Sequence, residues 1–120
     1  LTPDAVSPIS RLSLLLLHSA VTEKADVFAF GVLLAETLFR LIPWVDLELH
    51  QVTLAVAVEQ RRPYSRSHLS SHLSGSGGNA PARVAEAVFI LAERCWAQDP
   101  GERPSFDDVL ISLDEISMEL

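Results

Sequence analysis

The sequence has one cysteine, one lysine, one methionine and one tyrosine in 120 residues. Cys95 alone cannot build a disulfide framework, and closed Cys-rich zinc sites fall for the same reason. Bases are scarce: nine against sixteen acids give a formal charge of −7, which opposes a phosphate-attracting surface and excludes nucleic acid as an expected partner. The deficit is local, since Asp99 to Leu120 holds seven acids and one base, Arg103. Clean membrane signals are also lacking. Leu12 to Leu17, preceded by Arg11, is short for a signal-peptide core and has no good small-residue cleavage site. Residues 25–42 approach the length of a spanning helix, but Asp26, Glu36 and Arg40 would each cost roughly 2.5 to 3.5 kcal/mol at a bilayer centre. A buried helix of a soluble domain accounts for this run better, and no membrane span is expected.

What the chain does have is 48% apolar residues, enough for one core and too many for a disordered chain. The first residue is Leu1, not Met, so the chain is expected to be processed or to be a piece of a longer protein. Thr22 is a plausible N-cap for a helix whose first turn carries Glu23 and Asp26, where the helix dipole favours acids. The run from Val27 to Ile42 is apolar nearly all round, predicting burial on most sides at the centre of a larger all-α assembly, since this chain alone offers too few partners to cover it, and an end near Pro43. Asp46 to Gln60 is helix-like. Arg61 to Asn79, with six serines, three glycines and the echo SHLSSHLS, reads as a flexible surface loop, which we bound at 61–80. Pro81 suits the first turn of a further helix with Val84, Ala87, Val88, Leu91, Ala92 and Cys95 along one face. Ser105 with Asp108 caps a last helix lined by Phe106, Val109, Leu110, Leu113 and Ile116. The expectation is all-α, with four main helices and one long loop.

Three segments then stand out in order. Residues 22–36, Thr-Glu-Lys-Ala-Asp-Val-Phe-Ala-Phe-Gly-Val-Leu-Leu-Ala-Glu, resemble the protein-kinase segment D-V-[YW]-S-F-G-[VI]-x-L-x-E. Cys95-Trp96-x-x-Asp99-Pro100-x-x-Arg103-Pro104-Ser105-Phe106 resembles the closing signature of the same family. Between them, Ile42-Pro43-Trp44, Gln51-Val52-x-x-Ala55-Val56 and Arg61-Arg62 resemble tyrosine-kinase-like serine/threonine kinases, especially the Raf-like ones of plants and algae. Leu1-Thr2-Pro3-Asp4 looks like a degenerate [LM]-A-P-E motif. The resemblance implies an incomplete kinase-like large lobe over residues 1–120, cut near the end of the activation segment.

The resemblance implies roles residue by residue, each beside a plainer alternative. Asp26 would accept hydrogen bonds from the catalytic-loop backbone and hold it rigid; otherwise it is a helix-dipole residue facing water. Leu33 and Thr37, seven and eleven residues on, match the platform beneath the adenine-binding apolar stack, and ordinary core packing remains open. Gly31 costs roughly 1 kcal/mol relative to Ala inside a helix, which points to a contact that excludes a side chain. Arg103 would pair with Asp4, fastening the activation segment; breaking such a buried pair costs about 3 to 5 kcal/mol. The alternative is a surface pair with Asp107. Trp44 packs between helices or belongs to a docking surface.

Other signals carry less. His68 and His72 have a metal-compatible spacing but no carboxylate or cysteine beside them in the sequence. Ser74 to Gly78 lacks the lysine and context of a phosphate loop, and Cys95 reads as buried and inert. The serines of that segment, Ser74 and Ser76, with Arg61, Arg62 and Arg66 upstream, are open to phosphorylation by basophilic kinases.

Phosphoryl transfer by protein kinases needs a Gly-rich loop, a strand lysine, a catalytic H-R-D aspartate and a metal-binding D-F-G aspartate. The sequence contains none of them, and its sole lysine is Lys24. Inactivity alone is therefore expected, with no catalytic, cofactor or metal residue in this chain. The resemblance implies a fragment of a cytoplasmic serine/threonine kinase whose full-length parent uses ATP and Mg2+. Its implied partners are the remainder of the kinase domain and the parent's protein substrates. The alternative is a pseudokinase or kinase-homology module for protein interaction, as guanylyl-cyclase kinase-homology domains keep similar closing motifs. A third reading is an independently folded four-helix binding domain.

Overall fold

The computed structural model describes residues 23–75 and 81–120. Helix α1 (Lys24–Phe39) is followed by α2 (Leu49–Ala57), α3 (Arg66–Ser74), α4 (Ala82–Cys95), a 3-10 turn (Pro100–Glu102) and α5 (Phe106–Ser117). Among the described residues there is no strand, so the all-α class holds, with five α-helices where four were expected.

The core lies between α1 and α4. Val27, Gly31 and Ala35 recur every fourth residue on α1 and form its buried stripe. Opposite them, α4 presents Ala85, Phe89, Ala92 and Cys95, all fully buried. These positions repeat at helical spacing along one face, as the sequence predicts. Gly31 sets how closely the helices meet. A Cβ there would stand 2.6 Å from the Cys95 Cβ and 2.9 Å from the Ala92 carbonyl oxygen, distances that no side chain tolerates without moving backbone. Core packing continues on either side of this contact. Tyr64, Leu69 and Trp96 join Phe89 on one side; Val109 of α5 joins Val27, Leu91 and Cys95 on the other.

Three boundaries differ from expectation. Helix α1 ends at Phe39 instead of near Pro43, because Arg40 turns left-handed (φ 55°, ψ 37°) and closes the helix by donating its N–H to the Glu36 carbonyl at 2.7 Å. Ile42, preceding proline, is in turn biased away from helical backbone. The expected cap Thr22 lies outside the described residues. Helix α2 is shorter than residues 46–60, since Glu48 caps it and its N–H donates to Gln51 Oε1 at 2.8 Å.

The third difference is a correction. Within the expected loop at 61–80, residues 66–74 form α3. Ser65 starts it in extended backbone, its N–H donating to His68 Nδ1 at 3.0 Å. Leu69 then anchors the helix in the core, only 5% exposed. The SHLSSHLS echo repeats every four residues, one helical turn, and stacks His68 over His72 and Leu69 over Leu73. Serine content hid that period.

Burial inside this core has a pH signature. It pushes the Cys95 thiol up to about 11 from 9.0, against a smaller opposing pull from Arg94. It likewise pushes the Tyr64 phenol, which donates to the Leu41 carbonyl, up to about 12 from 10.0, helped by the nearby Glu36 charge. Both groups keep their proton longer when folded, so the unfolded chain deprotonates first as pH rises. Stability should be intact below about pH 9 and fall through the window from 9 to 12. Urea midpoints across that range check this, and Cys95→Ala should remove the portion that begins at the lower end. Gly31→Ala should cost about 1 to 3 kcal/mol through overpacking, read as a lower urea midpoint at unchanged m-value.

Candidate functional site

Helix α1 buries only part of its surface. Asp26 and Thr37 are exposed, Leu33 is 54% exposed, and Phe30 is half-buried between them. Positions 26, 30, 33 and 37 fall at i, i+4, i+7 and i+11, so they share one face. Within this chain α1 is covered on one side only, as expected of a helix made for a larger assembly: its stripe at Val27, Gly31 and Ala35 is buried, and this second face is open. Beside it runs a groove of about 300 Å3 lined by Phe30, Leu33, Leu34, Thr37, Leu38 and Val88. Thr37 spends its hydroxyl inside the helix, donating to the Leu33 carbonyl at 2.8 Å. An apolar strip with a carboxylate at its N-terminal end can seat packed side chains and accept backbone N–H donors.

Arg103 is placed differently. It is 8% exposed and sits in the turn between α4 and α5. Its guanidinium donates to the Ala97 carbonyl at 2.8 Å and to the Lys24 carbonyl at 3.0 Å, while Lys24 Nζ returns a bond to the Arg103 carbonyl at 2.8 Å. The turn after α4 is thereby stitched to the first turn of α1. Among the described residues Arg103 makes no ion pair, with Asp107 or any other acid. Its expected partner Asp4 lies outside the described residues.

A second guanidinium in this region, Arg62, entered the sequence reading only as part of the family resemblance, without its partners. Arg62 donates to the Trp96 carbonyl through Nε at 3.0 Å and through a terminal nitrogen at 2.8 Å, and to Gln98 Oε1 at 2.7 Å. Arg62 and Arg103 both lie over the Phe28 ring, at 5.1 and 4.9 Å. Burial lowers the pKa of each; the Arg103 charge adds to this at Arg62, whereas Asp99 offsets it at Arg103. A base adjoining Pro63 in a chain short of bases was the available signal.

The structure brings Asp26, Leu33 and Thr37 onto one face and leaves Gly31 on another, in the α1–α4 contact. Trp44 stands apart, in the connection after α1. It is half-buried, has a left-handed backbone (φ 57°) and lies under the Arg61 guanidinium at 5.8 Å. His68 and His72 do share one helix, packed beside Phe39, yet no group of three or more His, Cys, Asp or Glu among the described residues could hold a metal ion. No described helix is long and apolar enough to cross a membrane.

Comparison with known proteins agrees with this architecture. Residues 8–113 match the family model described as protein tyrosine and serine/threonine kinase. A probable serine/threonine-protein kinase of Dictyostelium discoideum is 34% identical over 116 residues, covering 97% of this chain and 11% of that protein. An Arabidopsis thaliana protein kinase and PP2C-like domain-containing protein is 31% identical, covering 79% of this chain and 15% of its own length. Human atrial natriuretic peptide receptor 2 is 35% identical over 91 residues, covering 72% and 8%. No solved structure matches the chain. The chain thus spans under a sixth of the length of these relatives, and the family-model match at residues 8–113 runs through the α1 segment and the Cys-Trp to Arg-Pro turn. It belongs to the protein tyrosine and serine/threonine kinase family.

Proposed function

We propose that this chain supplies scaffold helices to the large lobe of a serine/threonine protein kinase, in a longer protein that transfers the γ-phosphoryl group of ATP to protein substrates. The observation that carries the reading is the open face of α1. An apolar strip through Phe30, Leu33 and Thr37, ending at Asp26, suits a helix that the remainder of a kinase domain covers. In that assembly Leu33 and Thr37 support the apolar stack under the adenine, and Asp26 accepts N–H donors from the catalytic-loop backbone. Asp26 is then a positioning residue, since it touches neither substrate nor nucleotide. ATP and Mg2+ bind through the glycine-rich loop, lysine, H-R-D and D-F-G segments of the longer protein.

Arg103 anchors the activation segment by pairing with Asp4. Its burial beside the first turn of α1 and its lack of a described carboxylate partner support that role. A carboxylate one methylene shorter than glutamate reaches less far, so the pair is either looser than one with glutamate or needs a backbone shift. Trp44 serves as a docking point for protein substrates, and exposed Val45 and Leu49 beside it support this. The whole protein acts in the cytoplasm.

The test uses the longer protein that carries this chain, assayed for transfer of labelled phosphate from ATP to serine or threonine of a protein substrate. Asp26→Asn should lower kcat by about a hundredfold, the scale of a misplaced catalytic group, with little change in KM. Because Asp26 is exposed in this chain, the same substitution should change the stability of the chain alone by less than about 0.5 kcal/mol. Absence of any transfer by the wild-type protein sinks the reading. So does an Asp26→Asn variant with unchanged kcat.

A further inference from the structure

We propose that the solvent face of α5 is a docking surface for a basic amphipathic helix. The inner face of α5 is spent on the core: Val109 is 1% exposed, and Phe106, Leu113 and Ile116 pack beside it. A second stripe runs along the outside. Asp107, Ile111, Asp114 and Met118 fall at i, i+4, i+7 and i+11, flanked by Leu110 and Glu115, and all six are exposed. Ile111 is 58% and Met118 78% exposed, so their apolar area is unspent in this fold. Solvated helix faces are ordinarily polar; alternation of acid and large aliphatic along one stripe is a pattern that a partner helix reads through i, i+4 and i+7 anchors.

Charge selects the occupant. Helix α5 carries Asp107, Asp108, Asp114 and Glu115 and no base. Glu119 beyond its end is already paired, lying 3.3 Å from Arg83 of α4. A second copy would bring the same acids against each other, and an anionic membrane surface would be repelled. A helix with Lys or Arg between Leu or Ile meets both features at once, its apolar residues on Leu110, Ile111 and Met118 and its cations on Asp107 and Asp114. The chain's −7 charge also speeds encounter with a cationic partner at low salt.

The probe is a synthetic peptide of about 15 residues, Lys and Leu placed at i, i+4, i+7 and i+11 spacing, titrated into the chain by fluorescence anisotropy. A shuffled peptide of equal composition and charge is the control, and hydrogen exchange of the wild-type complex locates the contact. The periodic peptide should bind tighter than the shuffled one, with protection gained over residues 106–118. Replacing both Leu110 and Ile111 by Ser should weaken it at least about tenfold, and Asp107→Asn with Asp114→Asn roughly three- to tenfold. All four positions are exposed, and circular dichroism confirms that the variants keep their helices. Equal binding of both peptides overturns the proposal, as does protection on α1 instead of α5. Self-association through α5, seen by sedimentation without peptide, overturns it in favour of a second copy.

Discussion

Everything described depends on the close crossing of α1 and α4 at Gly31. With no Cβ, residue 31 lets the α4 backbone at Ala92 and the Cys95 side chain approach to distances that any other residue would block. That approach buries Val27, Ala35, Phe89 and Cys95 completely and creates the wall on which Trp96, Leu69 and Val109 pack. A helix-interior glycine weakens α1 by roughly 1 kcal/mol as an isolated helix, and dense packing against a neighbour is what offsets that cost. The same crossing orients α1. Once its Gly31 side faces α4, the side carrying Asp26, Leu33 and Thr37 has to point elsewhere.

That geometry divides labour between the two faces of a single helix. One face holds the fold together, and the other is available to what the rest of a kinase domain brings. An apolar helix of this sort would be costly in a self-contained domain, because residues such as Leu33 gain nothing from being half in water. In a lobe assembled from more chain than this, it is economical. The acidic outer stripe of α5 differs in kind: its apolar residues are interleaved with carboxylates, a composition suited to water until a complementary charge arrives.

Much of this was legible in the sequence, and the misses have physical causes. The α1 segment and the Cys-Trp to Arg-Pro turn could be read because each position is tightly constrained: Gly31 by close approach, Arg103 by burial at the start of α1, Ser105 by its bond from the Asp108 N–H at 3.1 Å. The helical faces of α4 and α5 followed from periodicity. Helix α3 escaped because serine is a poor helix former by propensity, and its stability comes from Leu69 and from histidines packed on Phe39, a tertiary effect that no local count registers. The early end of α1 escaped because a left-handed cap is usually glycine, and here it is Arg40. Arg62 was invisible as a partner of Trp96 because 34 residues separate them.

That last separation bears on how the chain reaches its fold. The guanidiniums of Arg62 and Arg103 take up carbonyls at residues 96–98, where α4 has run out of its own amide donors, and Arg103 also reaches back 79 residues to Lys24. Closing loops of that length carries an entropy cost that local helix formation cannot repay. The α1–α4 crossing itself joins Gly31 to Ala92 and Cys95, so the clasps and the helix contact bear the same kind of loop-closure cost and offset it together. Residues read as a signature in the sequence thus mark a corner of the molecule where long-range contact is concentrated in a few hydrogen bonds.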